Sequence, residues 1–411
     1  MNVLNNIMAS IAFFNEKGLE NVPITGITKL VKILIETFSI GGLIAVGIIL
    51  FTLVLKFLPL PLDIYSRAAT KKNALKMEKM RPQLEKLQKQ YANNKQLYTQ
   101  KMMALYKKEG YSTFAACLPT LFTLVFFIIV VTAFNKYSTY ANLNTFNEMA
   151  RAYNAGIVEQ VNNNDDLEII VKNGEEIQII TEYKDGATVR FKETSSLTDE
   201  EKEAISNEII KAAQDSAADC YFKESEKMKF IWVKNIWIAD LPWKKAFVSE
   251  SDYANLFTYS KGMFKRATIE SEIKGVENYA LLTGSAKLDS VKNQPNGYLG
   301  LVIISIASML VQQIIMTKSQ KAQMELQSVD GANGQAATTA KMMTWMMPIM
   351  FGVFSFMYSA AFSLYLIVST LFSLGTTTII NLIVEKIFVK RALQDEEAKQ
   401  NARFKHLNKD E

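Results

Sequence analysis

The sequence predicts an all-α polytopic membrane protein with five spanning helices, a helical hairpin and a polar α+β insert. Three observations predict it. Apolar runs recur near 40–62, 114–134, 298–316, 343–359 and 360–384. A run of about 18 or more such residues covers the hydrocarbon core of a bilayer. Positive charge is concentrated in one short segment between runs, and one long polar segment changes periodicity from 3.6 to 2.

Residues 1–37 precede the first span. The stretch MNVLNNIMASIAFF lacks a basic start and a clear small-residue cleavage site, so it reads as retained chain. Ile24, Ile27, Val31, Leu34 and Phe38 fall at helical spacing. They suit an amphipathic helix lying in the membrane interface, the alternative being a plain extension of the first span.

The first span occupies 38–62 and a hairpin 63–113. Met77, Met80, Leu84, Leu87 and Tyr91, then Leu97, Met102, Met103 and Tyr106, form one narrow apolar seam, interrupted at Asn93-Asn94. Two antiparallel helices sharing that seam satisfy the pattern. Pro82 predicts a bend or a restart in the first arm. So thin a seam predicts a mobile hairpin.

The second span occupies 114–134 and the insert 135–297. LEIIV, Asn173-Gly174, EEIQIITEY, Asp185-Gly186 and ATVRF predict three strands joined by tight turns. Thr198-Asp199-Glu200-Glu201 opens a helix over 198–222. The remainder is mixed, with Trp232, Trp237 and Trp243 close in sequence. A third span follows at 298–317. The segment 318–341 predicts a flexible loop around SVDGANGQAATTA. Spans four and five fill 342–384, turning at Ser359-Ala360-Ala361, and 385–411 is a tail. The fourth run is short and rich in methionine.

Charge orients these elements, because Lys and Arg in short loops stay in the cytoplasm. Residues 63–113 hold twelve Lys/Arg against four Asp/Glu, a net of +8, whereas 135–297 hold twenty against twenty-six, a net of −6. The hairpin, the 318–341 loop and the C-terminus are therefore predicted cytoplasmic, with the N-terminus and the insert outside. The tail is nearly balanced, seven against six. Lys386, Lys390 and Arg391 lie beside the last span.

Composition speaks against several chemistries. The two cysteines, Cys117 and Cys220, lie in an apolar run and in the polar insert, so a disulfide between them is not expected. His406 is the only histidine, and no metal-ligand spacing or GxxxxGK[ST] loop occurs. No cofactor, no metal and no enzymatic activity are expected.

One residue breaks the apolar rule. Lys56 lies within FTLVLKFLPLPL, in the inner half of the first span. A lysine at the bilayer centre costs about 2.5–3.5 kcal/mol. Either it faces a polar cavity, or it snorkels to the interface beyond Leu62. No carboxylate lies within the apolar runs to pair with it, and Asp63 stands at the edge. Thr52, Thr123, Gln312, Gln313 and Thr376 to Thr378 could line a cavity, although Ser and Thr readily satisfy themselves on helix backbones.

These stretches resemble a known family. FTLVLKFLPLPL followed by KKNALKMEKMRPQLEKLQKQY is similar to the first core span and hairpin of the YidC family of membrane-protein insertases and its organellar relatives. GYSTFAACLPTLF, KFIWVKNIWIADLPW, KMMTWMMPIMFGVFSF and FSLYLIVSTLFSL resemble later segments of that family, in the same order. The resemblance implies a five-transmembrane-helix core of the YidC type enclosing a hydrophilic groove. That groove is open to cytoplasm and lipid and closed outside, with one basic residue in it. The matching position is Lys56, with Thr52 and Tyr365 also at groove positions. Here lysine replaces the usual arginine, Thr123 stands where relatives often carry glutamine, and Leu366 where a second tyrosine often follows Tyr365. The large insert differs from the short loop usual there.

The resemblance implies a bacterial plasma-membrane insertase that takes nascent membrane proteins and touches lipid, and ribosome and Sec translocon as further partners. DNA and small-molecule substrates are not expected. The competing class is a small-solute transporter or channel, which would place polar sites at the midplane in broken helices with inverted repeats. No internal repeat is visible.

Overall fold

The computed structural model describes residues 11–111, 114–173, 176–261, 265–328 and 335–407. The protein is mostly helical, with a few strands. It divides into two compact units. One comprises Met1–Phe51, Ile129–Ile303 and Ser355–Leu364; the other Thr52–Ile128, Ile304–Phe354 and Tyr365–Glu411.

The first spanning helix is shorter than the apolar run that encodes it. Helix α1 (Gly26–Phe38) and helix α2 (Ile44–Phe57) are separate. Gly41 and Gly42 between them adopt φ of 65° and 78°, a left-handed conformation that glycine accepts and other residues resist. In α1, Thr28, Val31 and Ile35 are buried while Ile27, Leu30 and Ile33 are exposed. Of the apolar line expected to lie in the interface, Ile27 is exposed and Val31 is buried. Lys32 donates to the Tyr140 hydroxyl at 2.6 Å, and the Tyr137 hydroxyl donates to Glu36 at 3.3 Å.

Helix α2 ends at Phe57, five residues before the expected limit of the span. Pro59 disfavours helical geometry at Leu58 and supplies no N–H. Helix α3 (Leu60–Gln90) starts immediately afterwards, and helix α4 (Lys95–Glu109) returns from a turn at Tyr91. Pro82 lies inside α3 without restarting it. The seam between α3 and α4 is Met77, Met80, Leu84, Leu105 and Tyr106, flanked by Leu87, Met102 and Tyr111. Met103, expected in the seam, is exposed. Asn94 caps α4 by accepting from Leu97 N at 3.1 Å, and Gly110 closes it with φ 63°.

Helix α5 (Phe114–Asn162) does not stop where its apolar run does. It continues from 134 into the insert and becomes the insert's central helix. Strands β1 (Leu167–Asn173), β2 (Glu176–Ile180) and β3 (Ala187–Phe191) form an antiparallel sheet of order β2-β1-β3. Ile169 pairs with Ile180 and Val189, which sets the register. Helix α6 (Asp199–Met228) opens with the expected Thr198–Glu201 capping box and runs six residues past 222. Helix α7 (Glu250–Leu256), the short pair β4 (Thr258–Ser260) and β5 (Arg266–Thr268), and helix α8 (Val276–Thr283) complete the insert. Its core joins Phe146, Tyr153, Ile169, Val189, Ala217, Phe247 and Tyr253.

Residues 11–22 also belong to that core, through Ile11, Phe14, Leu19 and Val22. The sequence placed them instead in the segment 1–37 before the first span. Asn154 clamps the Phe14 backbone, accepting from its N–H at 2.9 Å and donating to its carbonyl at 2.8 Å.

Helices α9 (Gly300–Ser328), α10 (Gln335–Met357) and α11 (Ala360–Leu407) follow. Gly300–Thr317 and Ala360–Ile383 are long and apolar enough to cross a membrane; Ile44–Phe57 and Pro348–Met357 are shorter apolar stretches. The expected loop at 318–341 is largely helix: α9 reaches Ser328 and α10 begins at Gln335, with 329–334 outside the described residues. Helix α11 likewise carries the last apolar run through the expected tail. Only two residues separate α10 from α11, as Ser359-Ala360-Ala361 predicts. Ser355 and Ser363 hydroxyls join across this turn at 2.8 Å.

Candidate functional site

The break at Pro59 leaves Lys56 in the last turn of α2. Lys56 is half-buried, and its ammonium donates to the Ser373 hydroxyl of α11 at 3.5 Å. Phe57 and Phe372 meet edge to face beside it, ring centroids 5.1 Å apart. Asp63, in the first turn of α3, acts on Lys56 electrostatically.

Helical spacing organises the neighbouring polar groups. Residues four apart share one helix face. Thr52 and Lys56 therefore share a face of α2, and Tyr365, Ser369 and Ser373 share a face of α11. Exposure changes along these stripes. Thr52 is 0% exposed, Tyr365 3% and Ser369 9%, whereas Lys56 and Ser373 are half-buried. The Tyr365 hydroxyl bonds with Ser369 one turn on. Both stripes are thus buried toward Thr52 and Tyr365 and half-buried toward Lys56 and Ser373.

The other expected lining residues divide. Gln312 is half-buried on α9. Gln313 donates to Thr317 one turn on at 3.3 Å. Thr376 and Thr378 donate to carbonyls of Phe372 and Leu374 on their own helix, 3.0 Å each. Those two threonines are satisfied locally, as hydroxyls on helices commonly are. The side chain of Thr123 on α5 lies outside the described ones.

Ser373 is the residue that sequence reading missed. It lies in FSLYLIVSTLFSL, four and eight residues after Ser369 and Tyr365, so an i, i+4, i+8 polar period was visible. Only its approach to Lys56, 317 positions away, marks it. Among the described residues no group of His, Cys, Asp and Glu could hold a metal ion. Cys220 is free, and burial pushes its thiol up to about 11.

The family model described as 60Kd inner membrane protein matches residues 37–183 and 222–386. The stretch between the two matched blocks holds β3 and most of α6. A membrane protein insertase YidC of Treponema denticola is 31% identical over 146 residues, which is 33% of this chain and 24% of that protein. One from Clostridium tetani is 36% identical over 91 residues, 22% of this chain and 40% of that protein. One from Enterococcus faecalis is 30% identical over 106 residues, 25% of this chain and 37% of that protein. The chain thus spans well under half the length of these curated relatives. No solved structure matches it.

Proposed function

Because this chain belongs to the 60Kd inner membrane protein family, we propose that it inserts newly made membrane proteins into the bacterial plasma membrane through a polar groove centred on Lys56. The observation that carries this reading is the family match over both blocks of the chain. The polar stripe gives it a mechanism.

On this reading five helices form the core: α2, the apolar half of α5, α9, α10 and the apolar half of α11. The hairpin α3–α4 lies in the cytoplasm with the C-terminal part of α11, and the insert lies outside with the N-terminus. An arriving substrate must carry a short polar segment across lipid. A water-filled recess ending at Lys56 shortens the dry distance. The ammonium attracts acidic residues of that segment, with Thr52, Tyr365, Ser369, Ser373, Thr123 and Gln312 supplying polar wall. The membrane potential assists at about 2.3 kcal/mol per charge per 100 mV. The apolar part of the substrate then moves into lipid, gaining about 25 cal/mol per Å² buried. No nucleotide enters this scheme. The basic hairpin receives substrate or targeting factors, with anionic lipid, ribosome and Sec translocon as further partners.

Lysine supplies the charge without the planar fork of arginine. Charge, more than geometry, is then the property to test. In cells depleted of their own insertase, Lys56→Arg should insert a single-span substrate with an acidic translocated segment at the wild-type rate. Lys56→Ala and Lys56→Glu should slow it about tenfold, the effect of roughly 1.4 kcal/mol on the barrier, as read by protease protection. If both insert like wild type, the groove mechanism is wrong. Solute flux from purified proteoliposomes, with no effect on insertion, would favour a transporter instead.

A further inference from the structure

Asp240 is fully buried in the insert. Its carboxylate accepts from Tyr298 N at 2.8 Å, Leu301 N at 2.6 Å and the Trp232 indole N–H at 3.2 Å. Its backbone carbonyl accepts from Leu299 N at 3.2 Å. It thereby ties the loop 230–240 to the first turn of α9. Gly300 opens that helix pressed against Trp232: a Cβ there would lie 2.2 Å from the indole ring.

Three large side chains are attached to this knot, and none is covered. Ile231 is 75% exposed, Trp243 63% and Tyr298 64%. Ile231 adjoins Trp232, Trp243 follows Asp240 by three residues, and Tyr298 is bonded to Asp240 directly. The backbone around Ile231 is also unusual. Phe230 and Val233 exchange both N–H···O bonds at 2.8 Å, closing a two-residue hairpin turn. Ile231 is its first central residue, with φ 53°. Turns of that kind take Asn or Gly, and a β-branched residue in the left-handed region is an outlier. Glycine would relieve the backbone and, in water, sacrifice little burial. A strained position that keeps an exposed isoleucine points to surroundings that reward the side chain.

We propose that Ile231, Trp243 and Tyr298 form a lipid-docking rim, which seats the insert in the headgroup layer around the start of α9. Continuity places it there. Tyr298 precedes Gly300 by two residues, and Gly300 begins a stretch long and apolar enough to cross the membrane. The rim therefore sits at the level where that helix leaves the bilayer. Trp and Tyr favour this level, with ring in the apolar edge and polar atom in the headgroups. Lys234 and Lys245 add charge. Their ammonium groups rest on neutral acceptors, Gln294 Oε1 and Asn293 O, so their charge stays available to lipid phosphates. The proposal rests on α9 crossing the membrane and not on the insertase reading.

The test uses the full chain in vesicles of phosphatidylethanolamine and phosphatidylglycerol. Ile231→Cys, Trp243→Cys and Tyr298→Cys are made singly, with Cys117→Ser and Cys220→Ser, and spin-labelled. Ile179→Cys on strand β2 is the reference, because Ile179 is equally exposed at 64%. Power saturation compares access of oxygen with access of a water-soluble nickel chelate. The three rim labels should show an oxygen-to-nickel ratio several-fold above the reference. Ratios equal to the reference would overturn the rim, as would exclusion of both reagents, the sign of a protein partner. Ile231→Gly supplies a second readout that spares the fold. It should melt at or above the wild-type temperature in detergent and below it in lipid. Equal or higher melting in both would also overturn the proposal.

Discussion

The insert and the helical hairpin are both polar stretches between apolar runs, yet they are held together by different amounts of structure. The insert encloses a continuous core in which Phe247 meets Tyr221 and Phe146, with centroids 4.6 and 5.8 Å away, and the chain 11–22 is folded into it. The hairpin closes on a small cluster, Met77, Met80, Leu84, Leu105 and Tyr106. Cooperative stability follows buried apolar area, and segments with little of it open locally. The insert is thus built to hold a shape, and the hairpin to change one.

The largest effect expected from this contrast is in the insert. Phe247→Ala should cost about 3–5 kcal/mol, the usual result of emptying a large buried aromatic site. Thermal unfolding in detergent should then drop as one cooperative shift; a small, local change would break the distinction.

Asp240→Ala comes next. It strands three donors in a buried place, at about 3 kcal/mol, and should lower the same transition while freeing amide exchange at Tyr298 and Leu301. In the hairpin, Leu84→Ala should cost about 2–3 kcal/mol, but its readout differs. Hydrogen exchange should accelerate across α3 and α4 while the melting temperature of the insert stays put. A matching fall in that temperature would mean that the hairpin is not an independent opening unit.

Smaller effects refine the picture. Thr198→Ala should cost about 1 kcal/mol and fray the first turn of α6. Bonds from the Thr198 N–H and hydroxyl hold the Glu201 carboxyl below its ordinary value of 4.5. A depressed folded value means the cap stabilises fully above pH 4.5 and weakens as pH falls through the lower folded value. Amide protection in that turn, corrected for the intrinsic pH dependence of exchange, should fall only on acidification; a loss of protection near neutrality would contradict the cap. Smallest is the chemistry of Cys220. With its thiol raised to about 11 by burial, it should react with maleimide far more slowly at pH 7.5 than a solvent-exposed cysteine does.

Short-range features were legible in the residues. Asp185-Gly186 leads into β3, with Gly174 outside the described residues, and the Thr198–Glu201 box starts α6 one residue after the cap. The seam of the hairpin was readable because 3.6-residue periodicity survives in a charged segment. Lys56 stood out because a charge in an apolar run has an insertion cost. Element ends were less legible. Helices α5, α9 and α11 pass through the points where hydropathy changes, since backbone hydrogen bonding does not depend on side-chain polarity. Met103 lies at helical spacing with the seam and still faces outward, because which of several apolar residues is covered depends on the facing helix.

What the sequence by itself determined is local: the apolar runs, the three-stranded sheet, the capped helix, the hairpin and the single misplaced charge. Each follows from propensity, period or turn chemistry within a few residues. What only the tertiary structure decided is how distant groups meet. Lys56 reaches Ser373, Asp240 ties Trp232 to the start of α9, and residues 11–22 enter a core whose other members lie more than 120 positions on. Such contacts are selected by packing and by satisfaction of buried donors over the whole chain. No period in the sequence records them.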